Sequence, residues 1–200
     1  MDNNKKVTMR KVIFALSQSL DGFIESADGD LDWAIVDEEI HRHFNDLEDS
    51  IDIQLYGRRL YETMVAHWPT ADQDPTAPDY EVEYARIWQS KERIVFSNTL
   101  TRVDESSRLF SGDIVTEITK LKERPGKDIV VGGPTLAATF MRLGLIDEYR
   151  VYIQPIILGG GKPMFARLDN RIDLRLVETH TFSSGIVLLK YQTRATVQGG

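Results

Sequence analysis

The sequence predicts an α/β protein whose mostly parallel sheet closes in an antiparallel hairpin. Three observations carry this reading. The hydrophobic period switches repeatedly between the strand type and the helix type along most of the chain. Glycines stand where strand-like runs give way to helical ones, at Gly57 and at Gly132-Gly133. The last two strand-like segments have no helix-sized stretch between them, so they must pair antiparallel across Ser183-Ser184-Gly185.

The elements follow in order. Arg10 to Gln18 alternates as a first strand, and Asp37 to Leu47 has a helical stripe. Ile51 to Tyr56 is a β-branched and aromatic second strand that runs into Gly57 and a helix from Arg58 to about Ala66. Pro69, Pro75 and Pro78 then break any regular element before a helix from Tyr80 to Gln89. Arg93 to Ser97 is a third strand, Leu109 to Phe110 a short one, and Ile114 to Lys122 a helix. Ile129 to Val131 reads as a buried strand, followed by Gly132, Gly133 and a helix begun by Pro134, a residue suited to a first turn. Glu148 to Ile157, Leu174 to Thr181 and Ile186 to Arg194 complete the sheet. Residues 1–9 and 196–200 read as flexible tails around one domain, residues 10–195.

Composition narrows the function. The 200 residues are 42% hydrophobic and 28% charged, ordinary values for a globular domain that buries its own core. No apolar run approaches a membrane span and nothing at the start resembles a signal peptide, so a cytoplasmic protein is expected. A net charge of −7, with the cations scattered, argues against nucleic acid as partner. With no cysteine there is no thiolate nucleophile and no cysteine-ligated zinc, so redox work needs a borrowed cofactor. His41 and His43 lie two apart on a helix and point to different faces, unlike a metal-binding pair; they read as surface residues. No metal site is expected, and no Ser-His-Asp arrangement emerges from the spacing.

The most informative segment is Lys127-Asp-Ile-Val-Val-Gly-Gly-Pro-Thr-Leu. A helix that starts just after a strand offers unpaired N–H groups and the positive end of its dipole, which attract phosphate. A tight turn with no ligand is the alternative. The segment lacks the spacing of a Rossmann fingerprint, and Gly159-Gly160-Gly161-Lys162 lacks that of a P-loop. Gly57-Arg58-Arg59 places two guanidinium groups at another helix start, where a cationic fork suits a phosphate, or else they are solvated helix charge. Ser97-Asn98 after the third strand is by itself an ordinary turn. Asp21-Gly22 and Asp32-Trp33 place carboxylates and an aromatic plate in the loop after the first strand, a combination that suits a flat, nitrogen-rich ring. Asp21 and Asp32 are the candidates for binding it or supplying a proton, which would require a raised pKa.

Read together, five segments in order carry a family resemblance. They are Ser17-Gln-Ser-Leu-Asp-Gly-Phe-Ile, Leu55-Tyr-Gly-Arg-Arg-Leu-Tyr-Glu, Val95-Phe-Ser-Asn, Val130-Val-Gly-Gly-Pro-Thr-Leu and Pro155-Ile-Ile-Leu-Gly-Gly-Gly-Lys-Pro-Met-Phe. The chain resembles the dihydrofolate reductase-like superfamily, and within it the reductase domain of bacterial riboflavin biosynthesis, the RibD C-terminal type. The resemblance implies a three-layer α/β/α fold, NADPH as cofactor and a homodimer formed through the late strands. It implies that Gly57, Arg58 and Arg59 grip the 2′-phosphate and pyrophosphate, with Ser97 and Asn98 beside the adenosine. Gly132, Gly133, Pro134, Thr135 and Leu136 would lie against the nicotinamide ribose and phosphates. Asp21, Gly22, Trp33, Gly159 and Gly161 would form the substrate side.

Two departures qualify the substrate. Dihydrofolate reductases hold the pterin with a carboxylate on the first helix, whereas here Ile40 or His41 falls near that position, with Glu38 and Glu39 out of register. The sequence has no cysteine, so a zinc site of the cysteine-based type found in the deaminase domain that accompanies the riboflavin-pathway reductase is not expected here. The expected function is an NADPH-dependent reductase of a pterin- or pyrimidine-like heterocycle, and the alternative is a non-catalytic sensor of NADP(H) or a pterin.

Overall fold

The computed structural model describes residues 9–194; the expected tails, apart from residue 9, lie outside the described residues. Eight strands form the main sheet: β1 (Val12–Ser19), β3 (Ile51–Gly57), β4 (Glu92–Phe96), β5 (Ser107–Phe110), β6 (Asp128–Gly132), β7 (Glu148–Gln154), β9 (Leu174–Thr181) and β10 (Val187–Thr193). Their spatial order is β5-β4-β3-β6-β1-β7-β10-β9. Neighbours from β5 through β7 are parallel, and β10 is antiparallel to both β7 and β9. A separate ribbon pairs β2 (Phe23–Glu25) with β8 (Lys162–Pro163). Five helices connect them: α1 (Glu38–Asp49), α2 (Arg58–His67), α3 (Asp79–Gln89), α4 (Ile114–Glu123) and α5 (Pro134–Arg142).

The two-residue period of the strands sorts side chains between two helical layers. Val12, Phe14, Ile53, Leu55, Ile129 and Val131 pack with Ile118 and Leu121 of α4 and with Ala137, Phe140 and Met141 of α5. On the other face Ile40 of α1 packs with Tyr152, Phe182 and Leu188, and Leu47 packs with Ile51 and Val130. This is the expected α/β/α arrangement. The hairpin turns at Ser183-Ser184-Gly185, with the Phe182 N–H bonded to the Ile186 carbonyl at 2.9 Å and Gly185 at φ +86°. No helix among the described residues is long and apolar enough to cross a membrane.

Three expectations need correction. Strand β7 stops at Gln154 rather than Ile157, because Pro155 has no N–H for the ladder and the chain turns away. The β2–β8 ribbon was not expected, since three residues and two residues are too short to show a period. His41 and His43 are half-buried rather than superficial: His41 packs against Tyr80 and Tyr84, and His43 bonds the Tyr152 hydroxyl at 3.0 Å. Burial holds both imidazoles below their usual pKa of 6.5.

Candidate active site at the C-terminal edge of the sheet

Because the strands from β5 through β7 run parallel, the turns after β1, β3, β4, β6 and β7 meet at one edge. All five sequence motifs therefore converge. In the middle, β3 and β6 are neighbours with Tyr56 opposite Gly132, so α2 and α5 begin side by side. A methyl group built on Gly57 would lie 3.7 Å from Leu136 Cβ, an ordinary contact. One built on Gly132 would lie 2.5 Å from Leu60 Cδ2 and 3.1 Å from the Tyr56 ring. Gly132 thus lets the two helix starts close on each other. Gly133 turns the chain at φ +83° into α5, a conformation that L side chains rarely adopt.

Both helix starts are open. The N-cap of α2 is Gly57 and that of α5 is Gly133; neither has a side-chain cap, and neither first turn carries an acid. The first-turn N–H groups of each helix, including those of Arg59, Leu60, Thr135 and Leu136, have no intrahelical partner. Two positive dipole ends therefore face one place, with Arg58 and Arg59 exposed at its rim. Arg58 is not idle: its Nε bonds Glu62 at 2.9 Å and its Nη1 bonds the Thr99 hydroxyl at 3.3 Å. Ser97 accepts from the N–H groups of Thr99 at 3.2 Å and Leu100 at 3.0 Å, which is turn work, and Asn98 is exposed beside it. Beneath this half runs a buried polar chain. Tyr56 donates to Gln54 at 2.7 Å, and Gln54 donates to Glu48 at 2.8 Å.

The outer half, after β1 and β7, is built differently. Asp21 accepts from the Ser19 hydroxyl at 2.6 Å and from the N–H groups of Leu158 at 3.1 Å and Gly159 at 2.7 Å. The Ser19 bond, helped by those two amides, holds its carboxyl below the usual range. The raised pKa that a proton donor requires is therefore absent at Asp21. Its position is that of an anchor between the two loops. Gly22 follows at φ +92°, and its carbonyl accepts from Met164 at 2.9 Å. Gly161 is fixed by space: a methyl group there would meet the Glu25 carbonyl oxygen at 1.9 Å. Gly159 turns at φ +75° with room around it. Asp32 is exposed, and Trp33 is half-buried with its Nε1 bonded to the Asp30 carbonyl at 3.1 Å.

Residues that the sequence reading missed complete this half. Gln154, buried at the end of β7, clips the loop by accepting from Ile35 N–H at 3.1 Å and donating to the Ile35 carbonyl at 3.3 Å. Nothing in the sequence singles it out. Asp37 caps α1, accepting from the Ile40 N–H at 2.9 Å, and here a signal existed: Asp followed by Glu38 and Glu39 ahead of an apolar stripe. Ile40 is 1% exposed in the core, so no carboxylate reaches the cleft from that position. Among the described residues no three His, Asp or Glu side chains gather as a metal site. Two cavities, of about 650 and 770 Å³, lie elsewhere: one along α3 and the loop before it, beside Arg42, and one between the end of α5 and the segment 168–173.

The fold and this edge define the dihydrofolate reductase-like class of α/β proteins. The chain belongs to the RibD C-terminal domain family, whose model matches residues 10–188. It is 41% identical over 192 residues to the uncharacterized protein YyaP of Bacillus subtilis strain 168, covering 96% of this chain and 98% of that one. A crystal structure from Shewanella sp. PV-4, of a protein named for riboflavin biosynthesis, matches with a TM-score of 0.74 at 24% identity. That match covers 92% of this chain and 99% of the other. Dihydrofolate reductase from Enterococcus faecalis, complexed with NADP(H), matches with a TM-score of 0.61 at 14% identity, covering 92% and 97%.

Proposed function

We propose that the protein is an NADPH-dependent reductase of a flat, pterin- or pyrimidine-like heterocycle. The observation that carries this is the pair of uncapped helix starts at Gly57 and Gly133, side by side and flanked by Arg58 and Arg59. Two dipole ends and two guanidinium groups suit a pyrophosphate with a further phosphate nearby. The residues present therefore fit the cofactor. The backbone of Gly132 to Leu136 would hold the central phosphates and ribose, with Arg58 and Arg59 toward the 2′-phosphate and Ser97 and Asn98 toward the adenosine.

NADPH, held by these residues, would supply a hydride for an electron-poor carbon or C=N of the ring. The protein's part is alignment: holding reacting carbons at roughly 3–3.5 Å supplies much of the rate. Trp33 offers a face for the ring, and the Asp21 anchor keeps the loops after β1 and β7 together around it. The accompanying proton comes from Asp32 or water, since Asp21 is held ionised. A proposed homodimer, formed through the late strands, would cover Ile157 and Leu176, which are 69% and 48% exposed; a monomer in sedimentation removes that part.

One observation favours a second reading. Asp21 is taken up as a loop anchor and held ionised, so it supplies no proton at the substrate half, which suits a sensor that binds NADP(H) or a pterin without turnover. Mixing the protein with NADPH and pterins, flavins or pyrimidines, and following loss of the reduced-nicotinamide absorbance, separates the two. Oxidation establishes the reductase; binding without oxidation leaves the sensor; absence of NADPH binding refutes both.

A further inference from the structure

We propose that the cavity at the far end of α5 is a second ligand site, built for a small apolar carboxylic acid. The start of α5, at Gly133, faces the edge where the cofactor reading rests. The cavity adjoins the last residues of that nine-residue helix, about 14 Å away along its axis. The site needs no NADPH, and it stands or falls apart from the reductase reading.

A volume of about 770 Å³ lies in the range of small-molecule sites. The floor is apolar. Met141, Ile146 and Tyr149 are 4%, 2% and 2% exposed, and Leu168 and Ile172 pack against the same core. A ligand body laid on these side chains takes apolar surface out of water.

Within this floor stands one polar group, the Tyr149 hydroxyl. Strand alternation puts Tyr149 on the α5 side of the sheet with Val151, while Tyr152 faces α1. The hydroxyl makes no hydrogen bond with any described residue, yet it is not sealed from solvent as the unpaired Gln18 Oε1 and Ser184 Oγ are. Because the cavity is the open space that Tyr149 lines, it is the route to that hydroxyl. The nearby Asp147 is committed elsewhere: its carboxylate takes the Val12 N–H at 2.8 Å and the Lys122 ammonium at 2.6 Å. Burial, with the Asp147 charge second, pushes the Tyr149 pKa up to about 12, so the hydroxyl keeps its proton and is available as a donor. A phenol this buried without an acceptor is costly, and a ligand oxygen would answer it.

The rim carries charge. Arg142, Arg171 and Arg194 stand there against Asp169 and Asp173. Arg171 pairs with Asp173 at 3.4 Å, and the guanidinium groups of Arg142 and Arg194 have no carboxylate partner among the described residues. In a chain of net charge −7 this is a local surplus of cation. Two uncommitted guanidinium forks suit a carboxylate and give a neutral ligand far less.

Naphthoate and its neutral amide, naphthamide, serve as probes of the full chain. The Met141 methyl signal, assigned with a Met141→Leu variant and followed by NMR, reports where they sit. Naphthoate is expected to shift that signal ahead of the signal of Met64 on α2, and to bind about tenfold more tightly than naphthamide. Arg142→Gln/Arg194→Gln should erase this preference, and Tyr149→Phe should weaken both probes about threefold, thermal melting showing that each variant is folded. No Met141 shift at millimolar probe, naphthamide bound as tightly as naphthoate, a preference that survives the arginine variant, or affinities unmoved by Tyr149→Phe would each overturn the proposal.

Discussion

The two halves of the same sheet edge solve the helix-terminus problem in opposite ways. At α1 the chain supplies its own cap, Asp37, and its own first-turn acids. At α2 and α5 it supplies glycine and nothing else. The stability cost of a glycine N-cap relative to aspartate is only a few tenths of a kcal/mol, so the difference is affordable for folding and large for binding. A helix start answered by an internal carboxylate is structurally complete. One left open is a receptor for an outside anion.

The largest effect should come from making the open half resemble the closed one. Gly57 has extended backbone, φ −80° and ψ 163°, with ordinary room for a Cβ, so Gly57→Asp can be accommodated as a cap on α2. Stability should hold or rise by about a few tenths of a kcal/mol, while NADPH affinity falls on the order of 100-fold. Calorimetric titration alongside thermal melting reads both; unchanged affinity in a folded variant would remove the anion role of this turn. Next in size is Arg58→Ala/Arg59→Ala. The expected loss is about tenfold or more for NADPH and little for NADH, and equal losses for both would place the arginines away from the 2′-phosphate.

The contrast also explains what the sequence disclosed. The fold and the open half were legible because their signals are local: β-branched runs, a glycine at the junction, Pro134 in a first turn. The hairpin was legible from a missing crossover. The closed half was not, because its logic is in long-range pairs. Asp21 meets Leu158 and Gly159 across the edge, and Gln154 meets Ile35 across two loops. Gly161 is required by the Glu25 carbonyl pressed against it from the β2 ribbon, a contact that no local pattern shows. The half-burial of His41 and His43 depended on Tyr84, Tyr152 and Phe182 arriving from other elements.

A smaller effect sharpens the role of Asp21. If it anchors loops rather than donating a proton, Asp21→Asn should raise KM for the substrate by roughly threefold to tenfold through a looser turn and leave NADPH affinity alone. Because the Ser19 bond and the two amides hold the carboxyl below its usual value, it is charged throughout the neutral range. The wild-type rate should therefore show no step from this group between about pH 5 and 9. A fall in kcat with KM unmoved, together with loss of a titration step in that window, would instead make Asp21 the donor.

The smallest effect tests the buried chain beneath the open half. Burial raises the Glu48 pKa above its usual 4.5, against the opposing pull of the Gln54 bond and Lys91. A carboxyl whose folded pKa exceeds its unfolded one contributes stability that is fully present below the unfolded value and is lost as pH rises through the folded value. Glu48→Gln keeps an acceptor for the Gln54 amide at any pH and cannot ionise. Relative to wild type, the variant should therefore gain stability as pH is raised from about 4.5 toward neutrality, with NADPH affinity unchanged because the chain supports Tyr56 without reaching the helix starts. Denaturant melts across that range measure it. A variant that loses ground as pH rises would mean that Glu48 is stabilised as the anion, and that Lys91, whose Nζ bonds the Glu48 and Ile51 carbonyls at 2.8 and 2.6 Å, outweighs burial in setting its charge.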